Sequence, residues 1–230
     1  MLKGSTCRAG LRGTLSFSSQ HLATALLCCL LVVSGLWHGP AAAADAPARD
    51  LTLYAGQGVD SDLLQMPKKL VDGSLDYESS YFTALGFRQQ TPTPDFIDTA
   101  FGWIGVSGVT TGAEAIVVRH YGLQDNWELN VAYVLASPQG ELGPVRLRAA
   151  MSLGLSYAFG NPAYEDGPKD DPERRYRFQN YNGYEVEWGL VRYPQLSFIT
   201  RVHHRSGIYG VIAPRRVGSN FVTFGLRYHW

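Results

Sequence analysis

The chain has 230 residues, of which 20 are basic and 20 acidic, so its formal net charge at pH 7 is zero. This balance gives no sign of a nucleic-acid-binding surface, which needs an excess of lysine and arginine. Cys7, Cys28 and Cys29 are its three cysteines. All lie near the N-terminus, so the remainder of the chain can form neither a disulfide nor a thiolate metal site.

The first 44 residues have the composition of a secretory signal peptide. Three basic residues and no acidic one precede an apolar run over residues 22–37, and the alanines at 41–44 provide an Ala-x-Ala cleavage site. The run is shorter than the roughly 20 residues of a bilayer-spanning helix, which argues against an uncleaved anchor. We therefore predict a signal peptide over 1–44 and a mature domain over 45–230. Removing three of the 20 basic residues leaves 17 against 20 acidic ones, a net charge of −3.

Apolar residues occupy every second position over long segments of the mature chain. In residues 145–159 one face is apolar throughout, while the other carries arginine, serine, glycine and alanine. Successive side chains of a strand point to opposite faces, so this alternation predicts a strand. A strand of this length exceeds the usual 5–6 residues of soluble proteins. Long strands with one apolar face and aromatic ends are typical of transmembrane barrels.

We predict an all-β fold, an eight-stranded antiparallel transmembrane β-barrel of the bacterial outer membrane. A soluble sandwich or lipocalin-like barrel also alternates, but the small and charged face would line an apolar ligand cavity poorly. The alternation gives nine candidate strands, whereas bacterial single-chain barrels have even strand numbers. One candidate therefore does not span the membrane, and we expect 51–58 to be periplasmic or partial. Residues 161–175 are predicted to be a polar loop. The candidate strands are 51–58, 80–88, 97–106, 112–120, 126–135, 145–159, 178–190, 195–206 and 218–230.

A His-x-Ser pair, His204 and Ser206, lies in the candidate strand 195–206. Both residues share the parity of Phe198 and Val202, so both are predicted to face lipid. Their α-carbons should be about 6.5–7 Å apart, and Gly207 would permit a kink that brings the side chains closer. An imidazole nitrogen at that distance can accept the serine proton and activate a nucleophile. The alternative is a chance pair with an interfacial histidine.

The C-terminal region resembles a known family. The block His-His-Arg-Ser-Gly at 203–207, then Gly-Ser-Asn at 218–220 and Gly-Leu-Arg-Tyr at 225–228, resembles the C-terminal signature of the lipid A 3-O-deacylase (PagL-like, acyloxyacyl hydrolase) family. The match covers residues 196–230. It implies an eight-stranded outer-membrane barrel with a lipid-facing serine hydrolase site. It also implies that His204 and Ser206 are the catalytic pair, acting on an ester-linked acyl chain of lipid A in lipopolysaccharide.

The third catalytic residue and the oxyanion site differ from that family. Its glutamate, which orients the histidine, corresponds to Asn220, two residues after Gly218. An amide can hold an imidazole tautomer but cannot stabilise an imidazolium by charge. The family's oxyanion-hole asparagine is replaced by Gly207, so we expect backbone amides near Gly207 and Gly210 to stabilise the oxyanion.

Three arginines flank this candidate site: Arg205, Arg215 and Arg216. They are expected either to snorkel toward headgroups or to hold the phosphates of lipid A. His203 is expected to point inward with a structural role. No metal-ligand cluster, glycine-rich phosphate loop or nucleotide fingerprint is present, so no metal and no cofactor are predicted.

Two questions stay open at this point. A small barrel without catalytic activity, serving a structural or binding role, is the alternative function. The expected partners are lipid A and the outer membrane, with no nucleic acid, and the sequence leaves a homodimer open. The interior of an eight-stranded barrel is filled by side chains, so we do not expect a diffusion pore.

Overall fold

The computed structural model describes residues 49–230, so the predicted signal peptide lies outside the described residues. No helix in this range is long and apolar enough to cross a membrane. The two helices are α1 (Met66–Val71) and α2 (Asp95–Gly102). The strands are β1 (Arg49–Val59), β2 (Tyr77–Thr91), β3 (Thr110–Gly122), β4 (Trp127–Ala136), β5 (Gly140–Leu142), β6 (Val145–Phe159), β7 (Phe178–Leu190), β8 (Tyr193–Ser206) and β9 (Gly218–His229).

Eight of the strands in the described range close into an antiparallel barrel. Strand β1 pairs with β2 on one side and with β9 on the other, so the first and last strands are neighbours. Pairing of β4 with β6 completes the ring. The three-residue β5 runs beside the start of β6, where β4 has already ended. The predicted all-β, eight-stranded antiparallel barrel is confirmed.

The two faces of the barrel wall have opposite character. In β4, Glu128 and Asn130 point inward and are 1% and 0% exposed, whereas their neighbours Leu129 and Val131 face outward. Leucines on the outer face stay exposed, as Leu226 does over 65% of its surface. An exterior this apolar would cause aggregation in water but is solvated by the hydrocarbon of a bilayer. The closed barrel also leaves no unpaired strand edge in lipid. The protein is a barrel of the bacterial outer membrane.

A network of buried charges fills the middle of the barrel. The Glu185 carboxylate accepts hydrogen bonds from Arg227 Nη1 at 2.7 Å, from Arg201 Nη2 at 2.6 Å and from Arg88 Nη2 at 3.2 Å. Arg201 Nη2 also donates to Glu114 Oε1 at 2.8 Å. These ion pairs compensate the cost of burying each charge. The arginine side chains occupy the space through which a solute would otherwise pass.

We therefore expect no open channel when the folded protein is inserted into a planar lipid bilayer. The measurement is single-channel current under an applied voltage, with a porin in the same bilayer as the positive control. Steady conductance steps that scale with the amount of inserted barrel would contradict this packing of the lumen.

The ends of the barrel differ in their connections. The described chain begins and finishes at the same end, where the Arg49 amide donates to the Trp230 carbonyl at 3.2 Å. Three of the four long connections, residues 60–76, 160–177 and 207–217, lie at the opposite end, and the fourth, residues 92–109 with α2, lies at the end of the described termini. Outer-membrane barrels carry their longer loops on the extracellular side, so we assign that end to the cell surface. Ser206, the last residue of β8, consequently lies near the outer leaflet.

Two strand predictions are wrong. The candidate strand 97–106 is replaced by α2 and the turn after it. Its apolar residues Ile97, Phe101 and Trp103 fit a period of two by chance, while Pro94 provides a helix start. Residues 51–58, expected to be periplasmic or partial, form the full-length strand β1, so the eight spanning strands include β1 and not 97–106.

Two glycines in β1 weaken the alternation that would otherwise identify it as a full strand. A β-carbon at Gly56 would come within 2.8 Å of the Phe82 ring, and one at Gly58 within 2.7 Å of the Tyr164 hydroxyl. Both positions therefore accommodate interior aromatic side chains rather than turns.

Candidate active site

A group of polar residues interrupts the apolar outer face near the cell-surface end of β7, β8 and β9. His204 pairs with Asn182 on one neighbouring strand and with Asn220 on the other, while Ser206 pairs with Asn180 and Gly218. Polar side chains on a lipid-facing surface cost free energy and therefore suggest a function. We call this group the polar patch: Asn180, Asn182, His204, Ser206 and Asn220.

The His204 and Asn220 side chains are in direct contact, the arrangement that the resemblance at residues 196–230 implied. His204 Nδ1 lies 2.7 Å from Asn220 Oδ1. An amide oxygen can only accept a hydrogen bond, so Nδ1 carries the proton and donates it to this contact. The other ring nitrogen, Nε2, is then unprotonated in the neutral ring and can accept a proton. Within the described residues, no carboxylate lies within ion-pair distance of His204, so the imidazole has an orienting partner without a charge.

Ser206 ends β8 with the same outward parity as His204, and both side chains are partly buried. No hydrogen bond joins the Ser206 hydroxyl to His204 among the described residues. Catalytic hydrogen bonds are often long without substrate and tighten only in the complex with it. Both residues lie on the outer face of the barrel, as their parity predicted.

The backbone turns sharply directly after Ser206. Ile208 and Tyr209 have φ values of 46° and 50°, in the left-handed region that is rare for a β-branched residue, and Gly210 follows with φ 103°. A β-carbon at Gly207 would collide with the Ala213 carbonyl, so the turn requires glycine there. Left-handed residues that follow a right-handed one aim successive amides at a common point, a known anion-binding arrangement.

The prediction that Gly210 supplies an oxyanion donor is wrong. Its amide already donates to the Gly207 carbonyl at 3.3 Å, and the amides of Ile212 and Ala213 bind the same oxygen. The amides of Gly207 and Ile208 have no backbone acceptor within the described chain. They are the remaining candidate donors beside Ser206.

The three flanking arginines have different positions. Arg215 and Arg216 are exposed in the 207–217 loop. Arg205 is fully buried inside the barrel, where it forms an ion pair with Glu165 and donates to the Arg177 carbonyl at 2.9 Å. Its predicted contact with lipid A is therefore wrong, because odd-numbered residues of β8 face the lumen.

The carboxyl that pairs with Arg205 belongs to the cell-surface loop 160–177. Burial raises the pKa of Glu165 to about 7, and the attraction of Arg205 opposes that rise. His203, predicted to be structural, also lies inside, with Nε2 2.8 Å from Glu128 Oε1. The lumen side of β8 thus anchors the strand, and the opposite side presents the polar patch.

The apolar surface next to the polar patch is partly covered. Phe198 stacks on Phe224 with ring centroids 6.0 Å apart, and both rings face lipid. Val202 is partly buried, and Val222 is only 4% exposed because the 60–76 segment packs over it. Phe198 and Val202 are therefore accessible from the lipid side, whereas Val222 is not.

Asn180 and Asn182 were missed by the sequence analysis. A signal for them was present, because they share the parity of Val186 and Trp188 on the lipid-facing side of β7. Two amides on an otherwise apolar face depart from the barrel pattern as clearly as His204 and Ser206 do. No group of three or more histidine, cysteine or acidic residues within 49–230 is arranged to hold a metal ion.

Comparisons with protein-family models and with curated proteins gave no match. Among solved structures, the chain is similar to the outer membrane enzyme PagL, with 11% identity over 79% of this chain and 99% of that chain and a TM-score of 0.47. It is similar to Neisserial surface protein A (NspA), with 12% identity, 81% and 100% coverage and a TM-score of 0.42. For LpxR from Salmonella typhimurium the identity is 8%, the coverage 79% and 100%, and the TM-score 0.35. These likenesses, all at low identity, assign neither an activity nor a site to this chain.

Proposed function

We propose that the protein is a serine esterase that removes an ester-linked acyl chain, at the 3-position, from lipid A in the outer membrane. The observation that carries this proposal is the contact between His204 Nδ1 and Asn220 Oδ1 on the lipid-facing wall, beside Ser206. A base with an orienting partner next to a hydroxyl is the arrangement that activates a serine. The resemblance at residues 196–230 supports lipid A as the substrate.

In the proposed reaction, Ser206 Oγ attacks the ester carbonyl while His204 Nε2 takes the hydroxyl proton. The tetrahedral oxyanion is stabilised by the amides of Gly207 and Ile208. His204 then passes its proton to the sugar oxygen, which leaves as a hydroxyl, and the acyl group stays on Ser206. Water, deprotonated by the same imidazole, hydrolyses this acyl-enzyme and releases a hydroxy fatty acid.

The position of the site suits a substrate that is already in the bilayer. An acyl chain can lie along Phe198, Phe224 and Val202 without leaving the hydrocarbon, so no deep pocket is required. Arg215 and Arg216, exposed on the adjoining loop, are in a position to pair with the glucosamine phosphates at the headgroup level.

The test is mass spectrometry of lipid A from cells that express the protein, compared with cells that carry an empty vector. The proposal predicts a new lipid A species that lacks one hydroxyacyl chain, with the released fatty acid in equal amount. Lipid A of unchanged mass in cells with folded barrel in the outer membrane would contradict it.

Replacing Asn220 by alanine should slow deacylation about tenfold, the scale of one lost hydrogen bond. The imidazole then loses its orienting partner, but the nucleophile and the base stay in place. The measurement is kcat for deacylation in mixed detergent–lipid A micelles. A loss as complete as that caused by replacing Ser206 would show that Asn220 is not merely an orienting residue.

A non-catalytic barrel is the second candidate, favoured by the missing hydrogen bond between Ser206 and His204 and by the neutral Asn220. In that case the polar patch would bind lipid headgroups without cleaving them. Unchanged lipid A mass, together with retention of lipid A during purification of the barrel, would support this candidate.

A further inference from the structure

One segment of the chain leaves the barrel and packs back on its outer wall. We call residues 60–76, which include α1, the outer cap. Met66 of α1 lies against Val59 of β1 and Val222 of β9, and these three side chains are only 3–4% exposed. Other apolar residues of the same strands are open to lipid, as Leu53 is over 62% of its surface. The cap therefore replaces lipid at one place on the wall, directly beside the polar patch.

The cap is also joined to the polar patch by a hydrogen bond. Asn220 Nδ2 donates to the Ser61 carbonyl at 2.8 Å, while Asn220 Oδ1 accepts from His204 Nδ1 at 2.7 Å. Ser61 is itself held in place, because Lys69 Nζ donates to its Oγ at 3.0 Å and forms an ion pair with Asp76 at 3.3 Å. Cap, amide and imidazole thus form one continuous chain of contacts.

The direction of the amide has a chemical consequence. With Nδ2 bound to the Ser61 carbonyl, only Oδ1 can face the histidine, so the neutral ring carries its proton on Nδ1 and leaves Nε2 free. Rotation of the amide by a half turn would present Nδ2–H to Nδ1. The ring would then carry its proton on Nε2 and could not accept one from Ser206. A wrong tautomer of this kind severely impairs serine hydrolases.

We propose that the outer cap is a positioning element that selects the Nδ1-protonated tautomer of His204 by fixing the Asn220 amide. The catalytic part of this statement rests on the proposed esterase function, whereas the tautomer does not. Met66 anchors the cap, the Ser61 carbonyl orients the amide, and the amide orients the ring. Removing the anchor frees Asn220 to rotate, and the ring then samples both tautomers.

The tautomer can be measured directly by nitrogen NMR of histidine-labelled barrel in detergent micelles, at a pH where the ring is neutral. The signals of His204 are identified from their loss in His204→Gln. The wild type is expected to show Nδ1–H. Met66→Ala, and a variant in which a short Gly–Ser turn replaces residues 60–76, should show a mixture of both forms. Met66→Leu should restore the single tautomer.

Leu70→Ala is the matched control, because Leu70 lies on the same helix but is exposed, and it should behave as wild type. Heat-modifiable migration on gels checks that each variant is folded, and Met66→Ala carries the test if the shortened chain does not fold. A pure Nδ1–H tautomer in a folded variant without an anchored cap would overturn the proposal. So would an Nε2–H tautomer in the wild type.

Activity provides an independent second readout. Met66→Ala should lower kcat about tenfold in the wild-type background but change nothing further when combined with Asn220→Ala, since both changes remove the same orientation. Losses that multiply in the double variant would contradict positioning through Asn220. If the wild type shows no esterase activity, the proposed function fails, and the NMR result still decides whether the cap selects the tautomer.

Discussion

Replacing Ser206 by alanine is expected to abolish release of the hydroxy fatty acid, a loss of at least about a thousandfold, while the barrel stays folded. His204→Ala should have an equally large effect, because nucleophile and base act as one unit and removal of either disables both. The two side chains face outward and make no contact with the buried network of the lumen, so neither change should disturb folding. The measurement is fatty acid release by purified barrel in mixed micelles with lipid A.

Thr200→Ala is the matched control for this experiment. Thr200 lies on β8 with the same outward parity and is partly buried, but it lies two outward positions from His204 and outside the polar patch. It should retain nearly full activity. Undiminished deacylation by Ser206→Ala would remove the serine mechanism. A loss in Thr200→Ala as large as in Ser206→Ala would show that the outer surface of β8, rather than a nucleophile, determines the rate.

The second large effect concerns stability. Glu185→Gln should lower the free energy of unfolding by about 3–5 kcal/mol, the cost of leaving buried charges without their partner. Glu185 accepts hydrogen bonds from Arg88, Arg201 and Arg227 at 2.6–3.2 Å. The two acids that remain beside these arginines, Glu114 and Glu187, cannot balance three guanidinium groups. Glutamine preserves the shape of the side chain, so the change isolates the lost charge.

Urea unfolding of the barrel in lipid vesicles measures this effect. Glu141→Gln is the matched control, since Glu141 is exposed on β5 and makes no ion pair in the described structure. The control should unfold at the wild-type urea concentration. An unchanged midpoint for Glu185→Gln would contradict the view that this carboxylate holds the lumen together.

The barrel could be predicted because strand parity is a local property, whereas the role of Asn220 beside His204 was expected from the resemblance at residues 196–230. Side chains alternate between the two faces of a strand, so one outward residue fixes the direction of the others. Residues directly opposite each other on antiparallel strands lie on the same face. The same rule, applied to Arg205, would have placed it in the lumen beside His203. Its assignment to lipid A rested on proximity in sequence to Ser206, which on a strand does not imply a shared face.

The outer cap, α2 and the occupied Gly210 amide could not be predicted in this way. The cap is recognised only from Met66 packing on Val59 and Val222, contacts between residues far apart in the chain. The Gly210 amide is occupied because a strained turn closes onto the Gly207 carbonyl. The residue types in this segment do not predict that turn. Tertiary contacts decided the cap and the Gly210 amide, on which periodicity carries no information. The helix α2 buries no residue and follows from the local signal at Pro94 instead.

The most direct test of the central claim, that Ser206 is a nucleophile activated by His204, is labelling with a lipophilic fluorophosphonate followed by peptide mass spectrometry. The probe forms a stable bond to activated serine oxygens. We predict that it labels the peptide containing Ser206 in the wild type, labels Asn220→Ala more slowly, and fails to label His204→Ala and Ser206→Ala. A folded wild-type barrel that takes up no label, or takes it up on another residue, would contradict the claim.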